Sequence, residues 1–89
     1  MTIRYEIMLA EIDLELWPNE LGVAVANEAS LVRQIQEGRK PRAPMVGRIR
    51  AYIATERDRR GLAHVAPEDA RSTLIRRFPS RFISVANNN

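Results

Sequence analysis

Apolar residues recur at helical spacing in the first segment of the chain. They fall three or four positions apart, at Ile3, Ile7, Ala10 and Leu14. A shorter alternation around Leu14 is also typical of a strand, but residues 6–10 are rich in good helix formers. We therefore expect a helix over residues 4–15. Trp17-Pro18 ends this helix, because proline disfavours the α conformation in the residue before it.

Two short helices are predicted next. Asn19 is placed to act as the N-cap of a helix over residues 20–26, which is small and apolar. Residues 27–29 have the composition of a tight turn, and Ser30 is placed to cap the second helix. That helix should stop at Gly38, because glycine accepts a positive φ.

A longer helix and a final helix are predicted in the second half. Pro44 suits the first turn of a helix over residues 45–60, with an apolar stripe at Val46, Ile49 and Ile53. The sequence Ala66-Pro67-Glu68-Asp69 is typical of a helix start, and the helix should end before Pro79. The end, RFISVANNN, fits either a short strand or an apolar tail. The predicted fold class is all-α: a compact bundle of four to five helices.

The charge is distributed unevenly along the chain, although the net charge is only +3. Residues 1–32 carry one cation and six carboxylates, whereas residues 33–60 carry nine cations and three carboxylates. Such asymmetry indicates a polyanion that faces the middle of the chain, and nucleic acid is the commonest one. A solvated basic face explains the composition equally well.

The composition argues against several other classes of protein. The length of 89 residues fits one small domain, and the absence of cysteine excludes disulfides and thiolate metal sites. His64, the only histidine, has no companion at ligand spacing, so we expect a loop or surface role for it. No glycine-rich phosphate loop, export signal or long apolar run is visible in the sequence. We therefore expect no catalysis, no cofactor, no metal and no membrane span, and a cytoplasmic location.

The two short helices and the turn between them have the residue pattern of a DNA-binding helix-turn-helix. Gly22 supplies the small residue where the second helix crosses the first closely. Val25 is the apolar residue at the end of the first helix, and Val32 and Ile35 form the inner face of the second. Gly38 and a basic loop then close the unit.

The stretch LGVAVANEASLVRQIQEGRKPRAPMVGRIRAYI resembles the lambda-repressor-like (Cro/XRE-type) helix-turn-helix family, in its small bacterial or phage members. The resemblance covers residues 18–53, which are 36 of the 89 residues. The turn departs from the family, where glycine and a β-branched residue are usual, because this chain has Asn27-Glu28-Ala29. Asn27 is nevertheless able to adopt left-handed geometry.

The resemblance implies a transcriptional regulator, such as a repressor, that binds double-stranded DNA with the helix at residues 30–37 in the major groove. It places at the bases the side chains of Ser30, Arg33, Gln34 and Glu37. It places at the phosphates the side chains of Arg39, Lys40 and Arg42, and the backbone amides of Asn19 and Glu20 at the start of the preceding helix. Residues 1–61 would form the helix-turn-helix domain, and residues 62–89 a C-terminal helix and tail that covers the bundle or builds a homodimer interface.

An alternative function belongs to another class. A small helical protein-interaction module, or a phage-type inhibitor, would keep the helix-turn-helix shape without binding DNA and would use the acidic N-terminal face. The acids of the first segment are interpreted here as a solvated helix face, and Trp17 as a core or staple residue. The arginines of the long helix are interpreted as a solvated or partner-facing surface; they are Arg48, Arg50, Arg57, Arg59 and Arg60.

Overall fold

A computed structural model describes residues 3–78, and all the regular structure within that range is helical. The elements are α1 (Ile3–Leu14), α2 (Pro18–Ala26), α3 (Leu31–Gln36), α4 (Ala43–Arg59), a 3₁₀-helix (Pro67–Asp69) and α5 (Ala70–Arg77). The prediction of an all-α bundle is confirmed. The strand or tail predicted for RFISVANNN lies outside the described residues. No helix in the described range is long and apolar enough to cross a membrane.

The start of α2 differs from the sequence prediction. Asn19 is not the N-cap, because the helix begins at Pro18 and Trp17 occupies the cap position with an extended backbone. Proline is well suited to the first helical position, since its missing N–H would have no partner inside the helix there. The backbone N–H of Trp17 instead donates to the carboxylate of Glu20, at 3.4 Å.

The core lies where α1, α2, α3 and α4 meet. Its fully buried side chains come from all four helices and include Ile7, Leu21, Leu31, Val32 and Ile49. The apolar stripe predicted for the long helix is confirmed, because Val46, Ile49 and Ile53 are all buried. The central helix is α1, which contacts α3 and α4 and also carries α5.

The turn between α2 and α3 depends on two residues. Asn27 ends α2 in the left-handed region, at φ 52° and ψ 38°, as its sequence position suggested. Gly22 lies against the turn: a Cβ at this position would come 2.2 Å from the carbonyl oxygen of Glu28. The need for a small residue at position 22 is therefore confirmed, although the close neighbour is the turn backbone as well as α3.

Helix α5 packs on α1 and is joined to it by charge. Ala70, Thr73 and Leu74 are buried at this contact. Asp13 of α1 accepts hydrogen bonds from Arg77 of α5 and, at 3.0 Å, from Arg57 of α4. One carboxylate thus connects three helices, and α5 covers α1.

Two of the arginines on α4 bind carboxylates of α1, and one of them is buried rather than part of the solvated surface that the sequence suggested. The side chain of Arg57 is only 5 % exposed and also donates to the carbonyl of Ala63. Arg50 makes two hydrogen bonds to the buried carboxylate of Glu6, at 2.9 and 3.0 Å. The prediction was wrong for Arg57, whereas Arg50 stays 43 % exposed beside its partner. Both partners on α1 are 44 residues away in the chain, and no local pattern reveals them.

Candidate nucleic-acid interface

The inner face of α3 fixes which of its side chains face solvent. Leu31, Val32 and Ile35 are buried, as predicted for Val32 and Ile35. Arg33 and Glu37 are left on the outer side, where they form an ion pair at 3.4 Å with side chains 65 % and 62 % exposed. Exposed pairs of this kind are weak, so both groups are available to another partner.

The side-chain amide of Gln34 is hydrogen-bonded through both its nitrogen and its oxygen. Its Nε2 donates to Oγ of Ser30 at 3.0 Å, and its Oε1 accepts from Nη1 of Arg39 at 2.6 Å. Ser30 occupies the cap position of α3, but its hydroxyl caps no backbone N–H and serves Gln34 instead. The side chain of Gln34 is therefore oriented before any ligand binds, with one N–H and one oxygen lone pair still available.

The end of α3 turns the following basic residues back over the helix. Gly38 adopts a φ of 118°, its N–H donates to the carbonyl of Ile35, and the N–H of Arg39 donates to the carbonyl of Gln34. This pair of hydrogen bonds is a Schellman motif, which fixes the direction of the chain after the helix. The guanidinium of Arg39 then reaches Glu28 in the α2–α3 turn, at 2.9 Å.

Arg4 joins this basic loop across a cleft. The cleft holds about 220 Å³ and is lined by Ile3, Arg4, Ile35, Gly38, Arg39 and Lys40. The guanidinium of Arg4 also lies 5.6 Å from the centre of the Tyr5 ring. Sequence reasoning missed Arg4, because the packing of α1 on α3 brings it here and no motif includes it. Three cations over an apolar floor form a suitable site for a phosphate group.

The two remaining predicted phosphate contacts differ in their charge surroundings, and the one at the start of α2 has an acid beside it. Asn19 is exposed in the first turn of α2, and Arg42 is exposed just before α4. The carboxylate of Glu20 lies at the N-terminus of α2 beside the N–H of Trp17. This negative charge lies at the helix end where the sequence suggested a phosphate, and it would repel one there.

The acids of α1 are engaged inside the fold. Glu6 and Asp13 bind arginines of α4 and α5, so the prediction of a solvated acidic face was wrong for both. Glu11 accepts a hydrogen bond from Gln36 of α3 at 3.2 Å. Burial raises the pKa of Glu11 above its ordinary value of 4.5, and the hydrogen bond from Gln36 opposes part of this rise.

A second cavity, of about 240 Å³, lies between α1, α4 and residues 64–70. Its charged wall residues Glu6 and Arg57 are already paired within the fold. His64 lies at the edge of this cavity and is exposed, with its Nε2 atom 2.7 Å from Oδ1 of Asp58. Within residues 3–78 no three His, Cys, Asp or Glu side chains come together as a group able to hold a metal ion.

Trp17 is not a core residue, because its side chain is exposed to solvent. It is 70 % exposed at the start of α2, and Val23 on the same helix is 48 % exposed. The prediction of a core or staple role failed because Pro18 starts α2 directly after Trp17 and leaves its ring outside the bundle.

Comparisons of this chain with models of protein families, with curated proteins and with solved structures found no match.

Proposed function

We propose that this protein is a sequence-specific regulator of transcription that binds double-stranded DNA through α3, as a lambda-repressor-like helix-turn-helix protein does. The observation that carries the proposal is the outer face of α3. It presents Arg33, Gln34 and Glu37 beside a basic cleft, while Leu31, Val32 and Ile35 anchor the helix on α2 and the core. The proposed role is one of binding, without catalysis.

We assign the contacts to bases and the contacts to phosphates to different residues. Arg33 suits the O6 and N7 atoms of guanine, and the oriented amide of Gln34 suits the N6 and N7 atoms of adenine. Each good bidentate contact discriminates against the wrong base by about 1–3 kcal/mol. Lys40, Arg42 and Arg4 would bind phosphates, which gives affinity without sequence information.

The experiment that tests this function is a selection of bound duplexes from a random pool, followed by comparison of variants. We expect the wild-type protein to enrich one sequence motif, and Arg33→Ala to lose preference at one base position of it. Arg59→Ala is the matched control, since Arg59 is equally exposed on α4 and paired with Glu56. Failure to bind any duplex at about 50 mM salt, where phosphate contacts are strong, would overturn the proposal.

The proposed regulator acts as a homodimer. Two copies would read half-sites about one helical turn apart, roughly 34 Å, which doubles the number of contacts that one small module offers. Sedimentation of the full chain with and without the selected duplex tests this arrangement. Two protomers on each duplex are expected, and a single protomer on a single half-site would exclude the dimer.

A protein-interaction module is the second candidate, and the exposure of Trp17 and Val23 favours it. Tryptophan is enriched at protein interfaces, because its ring is largely apolar while its N–H finds a polar partner. Trp17 is the only tryptophan of the chain, so its fluorescence reports binding at this face directly. A partner protein that shifts this fluorescence, together with duplex binding that is absent, would favour the second candidate.

A further inference from the structure

The ion pair between Glu28 and Arg39 joins the two ends of the proposed recognition helix. Glu28 precedes α3 and Arg39 follows it, yet Nη1 of Arg39 lies 2.9 Å from Oε1 of Glu28. Both side chains remain accessible, with 39 % and 36 % of their surfaces exposed. Because Arg39 also lines the basic cleft with Arg4 and Lys40, the pair lies at the surface that the proposed function assigns to DNA.

The backbone on both sides of this pair is fixed. The N–H of Glu28 donates to the carbonyl of Gly22, and its own carbonyl accepts from the N–H of Leu31. Arg39 is held by the Schellman motif that closes α3. The backbone at both residues is therefore anchored by hydrogen bonds where the two side chains meet.

The same guanidinium nitrogen also donates to the amide oxygen of Gln34, at 2.6 Å. Arg39 therefore uses one nitrogen for both a carboxylate and the side chain proposed to read adenine. A carboxylate and a phosphate oxygen bind a guanidinium in similar geometry. A DNA phosphate close to Arg39 would compete with the Glu28 carboxylate for the charge of the guanidinium.

We propose that Glu28 is an internal competitor of the DNA backbone: its carboxylate pairs with Arg39 until a phosphate displaces it. This inference rests on the proposed function and adds to it a control on the same site. Arg39 then exchanges one anionic partner for another, while its hydrogen bond to Gln34 uses the other N–H of the same nitrogen. Glu28 therefore weakens engagement of the DNA backbone at this position.

The proposal predicts that removal of the carboxylate strengthens DNA binding. Glu28→Gln should bind a labelled mixed-sequence duplex of about 20 base pairs two- to fivefold more tightly, because an exposed ion pair has only a modest strength. The salt dependence should also become steeper, by up to about one counterion, since Arg39 no longer exchanges one anionic partner for another. Glu68→Gln is the control for net charge, because it removes the same negative charge at an exposed position before α5.

A double-mutant cycle separates the local competition from a general effect of charge. In the Arg39→Gln background, Glu28→Gln should leave affinity and salt dependence unchanged. An equal gain in both backgrounds would overturn the competitor, because the carboxylate would then act only through its long-range field. If the wild-type protein binds no duplex, the proposed function fails and the inference fails with it. If the wild-type protein binds but the cycle shows no coupling, only the inference fails.

Discussion

Gly22 and Glu28 approach so closely that a side chain on Gly22 would overlap the Glu28 backbone, with a Cβ 2.2 Å from the carbonyl oxygen. This oxygen also accepts the hydrogen bond that begins α3, from the N–H of Leu31. Gly22→Ala must therefore move the turn or the helix. We expect the free energy of unfolding to fall by about 2–3 kcal/mol, as for an overpacked core, measured by urea denaturation.

Gly47→Ala provides the matched control for that substitution. Gly47 lies inside α4, and a Cβ there would meet no atom within 4 Å. The free energy of unfolding should rise by about 0.5–1 kcal/mol, because alanine loses less conformational freedom than glycine in a helix. Equal effects at the two positions would contradict the close approach of Gly22 to the turn.

The Asp13–Arg57 ion pair gives a second prediction about stability. The two side chains are 13 % and 5 % exposed, so Asp13→Asn leaves a buried guanidinium without its charged partner. We expect the free energy of unfolding to fall by about 3 kcal/mol, because breaking one side of a buried pair is costly. Thermal and urea unfolding measure this loss.

An exposed ion pair is the comparison for the buried one. Asp58 and His64 lie 2.7 Å apart with side chains 71 % and 56 % exposed. Asp58→Asn should change the free energy of unfolding by less than about 0.5 kcal/mol. If the two Asp-to-Asn variants are equally stable, Asp13 does not hold the three helices together.

Local spacing was sufficient to predict most of the helical fold. The apolar repeat in α1 and the stripe in α4 located both helices, because the buried face of a helix appears in the sequence as apolar residues three or four positions apart. Gly38 ended α3 as predicted, since a Schellman motif is specified by residues adjacent in the chain. The left-handed conformation of Asn27 follows from the same local chemistry.

Contacts between segments that are distant in the chain could not be predicted from the sequence. Arg50 and Arg57 occupy positions that look solvated on α4 alone, and only the packing of α1 brings Glu6 and Asp13 to them. The candidate site shows the same division. The outward direction of Arg33 followed from the buried positions of Val32 and Ile35, but the place of Arg4 depends on the packing of α1 against α3.

The raised pKa of Glu11 predicts a pH dependence of stability. Burial makes the folded protein hold this proton more tightly than the unfolded chain, whose pKa is near 4.5. The free energy of unfolding therefore falls as the pH rises from 4.5 through the folded pKa, because the native state binds more protons in that window. Glu11→Gln removes this cost and keeps an oxygen that can accept from Gln36.

We expect Glu11→Gln to be more stable than the wild-type protein at neutral pH, and the difference to disappear below pH 4.5. Urea unfolding of both proteins across this range measures the difference. Glu15→Gln, at an exposed position just after α1, controls for the loss of one negative charge. A gain for Glu11→Gln that is the same at every pH would exclude the titration of Glu11 as its cause.

Arg4 and Arg71 allow a direct test of the basic cleft, because both guanidinium groups lie over the ring of Tyr5, at 5.6 and 5.8 Å. Only Arg4 lines the cleft with Arg39 and Lys40, whereas Arg71 belongs to α5. Arg4→Ala should weaken binding of a mixed-sequence duplex and reduce the salt slope by about one counterion, because one phosphate contact is lost. Arg71→Ala removes the same type of ring contact and should change neither quantity, as measured by fluorescence anisotropy from about 50 to 200 mM salt. Equal losses in the two variants would mean that Arg4 acts through Tyr5 or through net charge, and the cleft would not be a phosphate site.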